Sequence, residues 1–399
     1  MKGLLPAVIL LLAFSAWGAT WEAATSAHFL VLAYEGLDPG YIAGLAEGIL
    51  ERLLDLWGSP PPGRGVFDLY SRVSLVVYPD PDAFGSDTGL YGFTRLPLPL
   101  FGTPRIPSFE RVLRDLEAES PLGMLVAGSA HGGLAKLRLA EAIAWTFIVT
   151  NMKELPSADE SPETLWLNIS GLARLSGTYV MGITEIPHGL SALWARECGG
   201  EPDLSEPPLW ISVDLWASAT AYMFQRAGGS IAEGARNFFK CLTGFPEPNG
   251  CTKYGDLWKE SARSWKLWLS GLEVPSSVRV LYEARRRALW LRFVFLYPVF
   301  SQASRDEIQA LYGSIEMGEG SGQDLERLED LLSPSEVVPT PELVEALSSR
   351  ETSLLRWLGM MGKRGTEAYK TFLKLQALRN TDPAEYLRLY IGLVGKLSG

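Results

Sequence analysis

Ala140-Glu141-Ala142-Ile143-Ala144 lies inside residues 133 to 152, a stretch whose apolar residues recur at helical spacing. Ala and Glu are strong helix formers, so the string alone says helix and nothing more. Its surroundings decide the fold. Upstream, His28-Phe29-Leu30-Val31-Leu32 is an apolar run of strand length. Pro39 then opens a stretch with Ile42, Leu45, Ile49, Leu50, Leu53, Leu54 and Trp57 at helical spacing, closed by Gly58. Arg72 to Tyr78 is β-branched and bounded by Pro79 and Pro81, a second strand. Gly and Pro become dense between Gly85 and Pro107, with Leu90-Tyr91-Gly92-Phe93-Thr94 expected as an edge strand.

From Phe109 onward the period is helical, over residues 109 to 119, 133 to 152, 163 to 180, 212 to 227, 230 to 242 and 254 to 272. The expected class is α+β: an α/β part to about residue 108, then a helical part. Val274-Pro275-Ser276-Ser277 marks the boundary of residues 275–399, expected as an all-α bundle with helices at about 278 to 299, 302 to 316, 322 to 333, 341 to 360, 363 to 379 and 383 to 397. The charge balance shifts at the same place. The chain of 399 residues carries 36 Lys and Arg against 46 Asp and Glu, a net charge of −10, while residues 275–399 hold 16 of each sign. No segment concentrates basic residues as a phosphate-tracking groove requires, which excludes nucleic acid as the expected partner.

Met1 and Lys2 precede an apolar run from Leu4 to Phe14 and the small-residue stretch Ser15-Ala16-Trp17-Gly18-Ala19, the three regions of a secretory signal peptide over residues 1–18. The run is too short for an ordinary membrane span, and Ala288 to Phe300 is interrupted by Arg292, so no transmembrane segment is expected in an exported chain. An exported chain with three Cys permits one internal disulfide. Cys241 and Cys251 are the preferred pair because they bracket a Pro- and Gly-rich turn, whereas Cys198 sits in its own Gly-rich loop; three reduced thiols are the alternative.

The order strand, long helix ending in Trp57-Gly58, strand ending in Tyr78-Pro79, Phe-containing turn and helix at 133 to 152 resembles the peptidase MA-like domains of the gluzincin zinc metallopeptidases. Trp166-Leu167-Asn168-Ile169-Ser170-Gly171-Leu172-Ala173 is similar to that family's Trp-Leu-x-Glu-Gly-x-Ala helix, and Gly255-Asp256-Leu257-Trp258 with Trp265 resembles its closing helix. The likeness spans about residues 26 to 272, within a domain expected over 19–274. In HExxH, two His one helical turn apart bind Zn²⁺, the Glu deprotonates the metal-bound water, and a carboxylate on a later helix completes the site.

Laid on this chain, the resemblance puts HExxH on Ala140 to Ala144. Glu141 remains, Ala140 and Ala144 stand at the His positions, and Ser170 stands at the third ligand position. Arg174 occupies the place of a further acidic residue of the family. The resemblance therefore implies a pseudopeptidase without zinc, in which Glu141 is vestigial and the scaffold binds a protein or an extended peptide. Tyr91 to Thr94 is the edge expected to receive that peptide. The alternative is an active metallopeptidase with atypical ligands drawn from His131, Glu141, Glu154 or Glu163. The three His, at 28, 131 and 188, are too far apart in sequence for any two to share a helical turn, and His28 and His188 suggest no role. No GxSxG elbow, Walker loop or dinucleotide fingerprint occurs.

Overall fold

The computed structural model describes residues 14–16, 19–34, 36–58, 72–79, 81–89, 91, 95–99, 122–127, 133–151, 162–184, 187–192, 212–227, 229–243, 264–269, 271, 278–316, 321–334, 337–360 and 362–397. Strands β1 (Phe14–Ala16), β2 (Ala19–Thr25), β3 (Phe29–Tyr34), β4 (Val73–Tyr78), β5 (Arg95–Pro99) and β6 (Leu122–Ala127) form one sheet in the order β1-β2-β3-β4-β6-β5. β3, β4 and β6 run parallel, while β1 and β2 at one end and β5 at the other are antiparallel to their neighbours. Parallel neighbours need a crossover, and α1 (Pro39–Trp57) supplies the first. Asp38 caps it by accepting from the backbone N–H of Gly40 and Tyr41, and Gly58 leaves it at a φ of 85°.

α2 (Pro81–Thr88) follows β4, and the helical part begins with α3 (Gly133–Asn151) and α4 (Pro162–Val180). A short helix over residues 187–192, α5 (Ser212–Arg226), α6 (Ile231–Thr243) and a helical segment over 264–269 complete it. One apolar core joins sheet and helices. At its centre the rings of Trp57, Phe147 and Phe239 stack in parallel, with centroids 4.9 to 5.6 Å apart, and tie α1, α3 and α6 together. The class is mixed α+β, as the sequence implies.

A second core is built by α7 (Val278–Leu296), α8 (Gln302–Glu316), α9 (Gly322–Leu331), α10 (Pro341–Ser348), α11 (Glu351–Met360), α12 (Gly362–Leu378) and α13 (Pro383–Leu397). The helix expected over 278 to 299 stops at Leu296, because Pro298 turns Tyr297–Val299 into a 3-10 segment. The helix expected over 341 to 360 is broken at Ser349 and Arg350, which turn the Arg350 guanidinium onto the Asp82 carboxylate of α2. No described helix is long and apolar enough to cross a membrane.

Three strand expectations are corrected. The edge strand is β5, whereas Tyr91 stands in a turn and Gly92, Phe93 and Thr94 lie outside the described residues. Pro97 and Pro99 hide β5 from a propensity reading, yet an edge strand tolerates proline because one side of it bonds to nothing. β6 has no counterpart among the expected strands, since its run Leu-Gly-Met-Leu-Val-Ala carries no period-two alternation. The sheet therefore extends past residue 108. The expected helix at 109 to 119, the loop holding His131, and the boundary at 274 lie outside the described residues.

Gly171 lets two helices approach closely, and Gly44 does not. A Cβ on Gly171 would stand 2.6 Å from the Thr220 hydroxyl and 2.8 Å from the Trp216 carbonyl oxygen, so α4 and α5 meet there backbone to backbone. Gly44 on α1 is exposed and open. Gly171→Ala is expected to destabilise the fold by about 1–3 kcal/mol through overpacking. Gly44→Ala should stabilise it by roughly 0.5–1 kcal/mol through helix propensity. Chemical denaturation of both variants checks the opposite signs.

Candidate functional site

α3, α4 and α5 pack side by side, and the two carboxylates and one guanidinium buried between them are the most concentrated chemistry of the first core. α3 is buried around its whole circumference from Leu137 to Ala144, with Leu139, Ala140, Ala142 and Ile143 among the buried residues, so Glu141 is carried inside with them. Gly177 brings α4 against that turn: a Cβ there would lie 3.2 Å from the Glu141 backbone nitrogen. Arg174, nearly one turn before Gly177, is thereby aimed along the side of Glu141.

Arg174 Nη1 donates to Glu141 Oε2 at 3.1 Å. On its other side Nε donates to Asp214 Oδ1 at 3.0 Å and Nη2 to Oδ2 at 3.4 Å, a bidentate grip on the first turn of α5. All three side chains are buried. One guanidinium thus bridges two carboxylates from two other helices. Each carboxylate has traded water for a charge-assisted hydrogen bond, so the cluster tolerates burial only while complete.

Ala140 and Ala144 are fully buried within the apolar core on the same helix, and Ser170 is part-buried one turn before Arg174. Methyl groups offer no lone pair to a cation. Among the described residues no group of three His, Cys, Asp or Glu is arranged to hold a metal ion. His131 and Glu154 lie outside the described residues, and Glu163 falls in the first turn of α4. The sequence alone therefore finds Glu141 and Arg174 but not that they touch, and it misses Asp214 altogether. Asp214 has the form of an ordinary acidic residue in a helix's first turn.

Two histidines without an expected role have clear ones. His28 donates its backbone N–H to Glu47 Oε1 at 2.7 Å and holds Oε2 through Nδ1 at 2.8 Å, fastening β3 to α1. That hydrogen bond to Glu47 raises the His28 pKa above its ordinary value. His188 packs against α5, with Nδ1 2.8 Å from the Ser218 hydroxyl. Cys241, near the end of α6, is disulfide-bonded, and both other cysteines, Cys198 and Cys251, lie outside the described residues.

No family model matches the chain, and no curated protein or solved structure matches it. Arg174→Met tests the cluster directly. It leaves Glu141 and Asp214 buried without their shared cation and is expected to cost about 3–5 kcal/mol, whereas Ser170→Ala, which touches no charge, should cost under about 1 kcal/mol. Urea denaturation near neutral pH measures both.

Proposed function

We propose that this chain is an exported, catalytically inactive relative of the gluzincin metallopeptidases that acts as a structural or protein-binding module. The observation that carries this reading is the engagement of Glu141. A general base must reach the proton it removes and must be free to accept it. The Glu141 carboxylate instead accepts a hydrogen bond from the Arg174 guanidinium inside a closed three-helix contact. Arginine keeps its protons at any physiological pH, so the guanidinium holds that oxygen as a standing hydrogen-bond donor. Ala140, Ala144 and Ser170 place no imidazole or carboxylate where a zinc ion would need one.

The same arrangement argues against an active enzyme that draws on Glu141 as an atypical ligand. A metal ion at that carboxylate would have to displace Arg174, which also grips Asp214. If residues 1–18 are removed on export, β1 goes with them and β2, which begins at Ala19, stays in the chain.

Binding of an extended peptide by strand addition is disfavoured at β5. Pro97 and Pro99 are two positions apart and share one side of the strand, and a proline in a sheet is accommodated with its nitrogen facing the open edge. An incoming strand would find carbonyl acceptors there but lack two donors, a device that blunts edges against pairing. A protein partner would then be met by side chains rather than through this ladder.

Metal analysis and a cleavage assay on an unfolded protein mixture test the proposal together. The expected result is below about 0.1 zinc per chain, from a site without imidazole ligands, and no cleavage. Stoichiometric zinc with cleavage that a chelator abolishes would overturn it.

A further inference from the structure

His188 is part-buried on the 187–192 helix, and its Nε2 is sealed from solvent with no hydrogen-bond partner. Its other nitrogen belongs to a short chain. Trp265 Nε1 donates to the Ser218 hydroxyl at 3.2 Å, and the same hydroxyl lies 2.8 Å from His188 Nδ1. An indole N–H can only donate. Ser218 accepts from Trp265 and shares one further hydrogen bond with Nδ1, giving its own proton or accepting the ring's, and in either neutral tautomer Nε2 has no partner. The ring is walled by Trp268, centroid to centroid 5.1 Å at 76°, and Trp268 in turn meets Tyr222 at 5.0 Å.

Ser218 is thus the point at which two segments are fastened to α5, the 187–192 helix through His188 and the 264–269 segment through Trp265. Ser191 adds contacts inside this junction, donating to the Pro187 carbonyl at 2.6 Å and reaching the Asp214 carbonyl at 3.5 Å. We propose that His188 is an acid-sensitive latch: neutral, its ring pins both segments to α5 through Ser218; protonated, it lets them go.

The protonated ring carries N–H on both nitrogens, so its charge would be buried with an Nε2–H that meets no acceptor. Among the described residues, the charged groups on the elements packed against the ring are Asp214 and Arg226 on α5 and Lys266 on the 264–269 segment. Asp214 is committed to Arg174, and Arg226 donates to Ser264 at 3.2 Å. Burial accordingly drives the His188 pKa down from 6.5 to about 4. Folded His188 then binds its proton less readily than unfolded His188, so the docked state is fully favoured above pH 6.5 and loses ground as the pH falls toward 4. The gap corresponds to a roughly 300-fold fall in the docking equilibrium constant.

The chain has only three histidines, which makes the test clean. Ring signals of the full-length protein are followed by NMR from pH 8 to pH 3, with amide hydrogen exchange read over the same range. His188 is expected to titrate near 4, well apart from His28, whose pKa is raised. Exchange protection of 187–192 and 264–269 should vanish with that midpoint while α3 and α4 stay protected. In His188→Gln, which cannot ionise, neither change should occur. A wild-type His188 midpoint near 6.5 would overturn the latch, whatever the variant does. So would protection that does not change across the His188 midpoint, or loss of the whole fold in step with it.

Discussion

A guanidinium shared between two buried carboxylates is the interaction on which the first core depends. Arg174 cannot shed its proton, and Glu141 and Asp214 are both buried, so each charge needs an opposite charge or a hydrogen bond beside it. That requirement fixes the mutual placement of three helices. It also explains the glycines around it. Gly171 lets α4 sink onto α5 beside Thr220, and Gly177 lets it sink onto α3 beside Glu141, which brings Arg174 within hydrogen-bond distance of both partners. A bulky residue at either position would hold the helices apart and leave charges unpaired.

The joint between the two cores follows the same logic of buried polar groups meeting specific partners. Tyr91, from the turn after α2, is buried among the side chains of the second core. Its backbone N–H donates to Ser353 Oγ at 2.9 Å, its carbonyl accepts from Trp357 Nε1 at 3.0 Å, and Ser353 Oγ donates to the Gly89 carbonyl at 2.8 Å. Arg350 covers the Tyr91 ring at 4.3 Å while paired with Asp82. On the other side of the joint, Arg138 of α3 lies over the Trp290 ring at 5.3 Å. The helical C-terminal part therefore grips the turn leading toward β5 and the helix that carries Glu141, so the two cores are packed as neighbours through named contacts.

Much of the architecture is legible in the sequence, and the failures have physical reasons. α1 is readable because its apolar face, its Asp38 cap and its closing Gly58 all agree. β6 is not, because its sequence lacks the apolar–polar alternation that identifies a half-buried strand, and β5 is not, because its prolines argue against a strand anywhere but at an edge. Arg350, at the break between α10 and α11, contacts Asp82, 268 positions away, a pairing no local pattern encodes. At the site, Glu141 and Arg174 stand out only through the resemblance. Asp214 and the Ser218–His188 pairing depend on how α5 packs, and that information lies in tertiary structure alone.

The account rests on Glu141 being held by Arg174 rather than standing ready for chemistry. A double-mutant cycle on Glu141→Gln and Arg174→Met, read by urea denaturation near pH 7, isolates that coupling from the cost of each change alone. The account predicts a coupling of about 1.5–3 kcal/mol, as for a contacting buried charge pair. Additivity within about 0.5 kcal/mol would contradict it, because Glu141 would then be independent of the cation placed beside it.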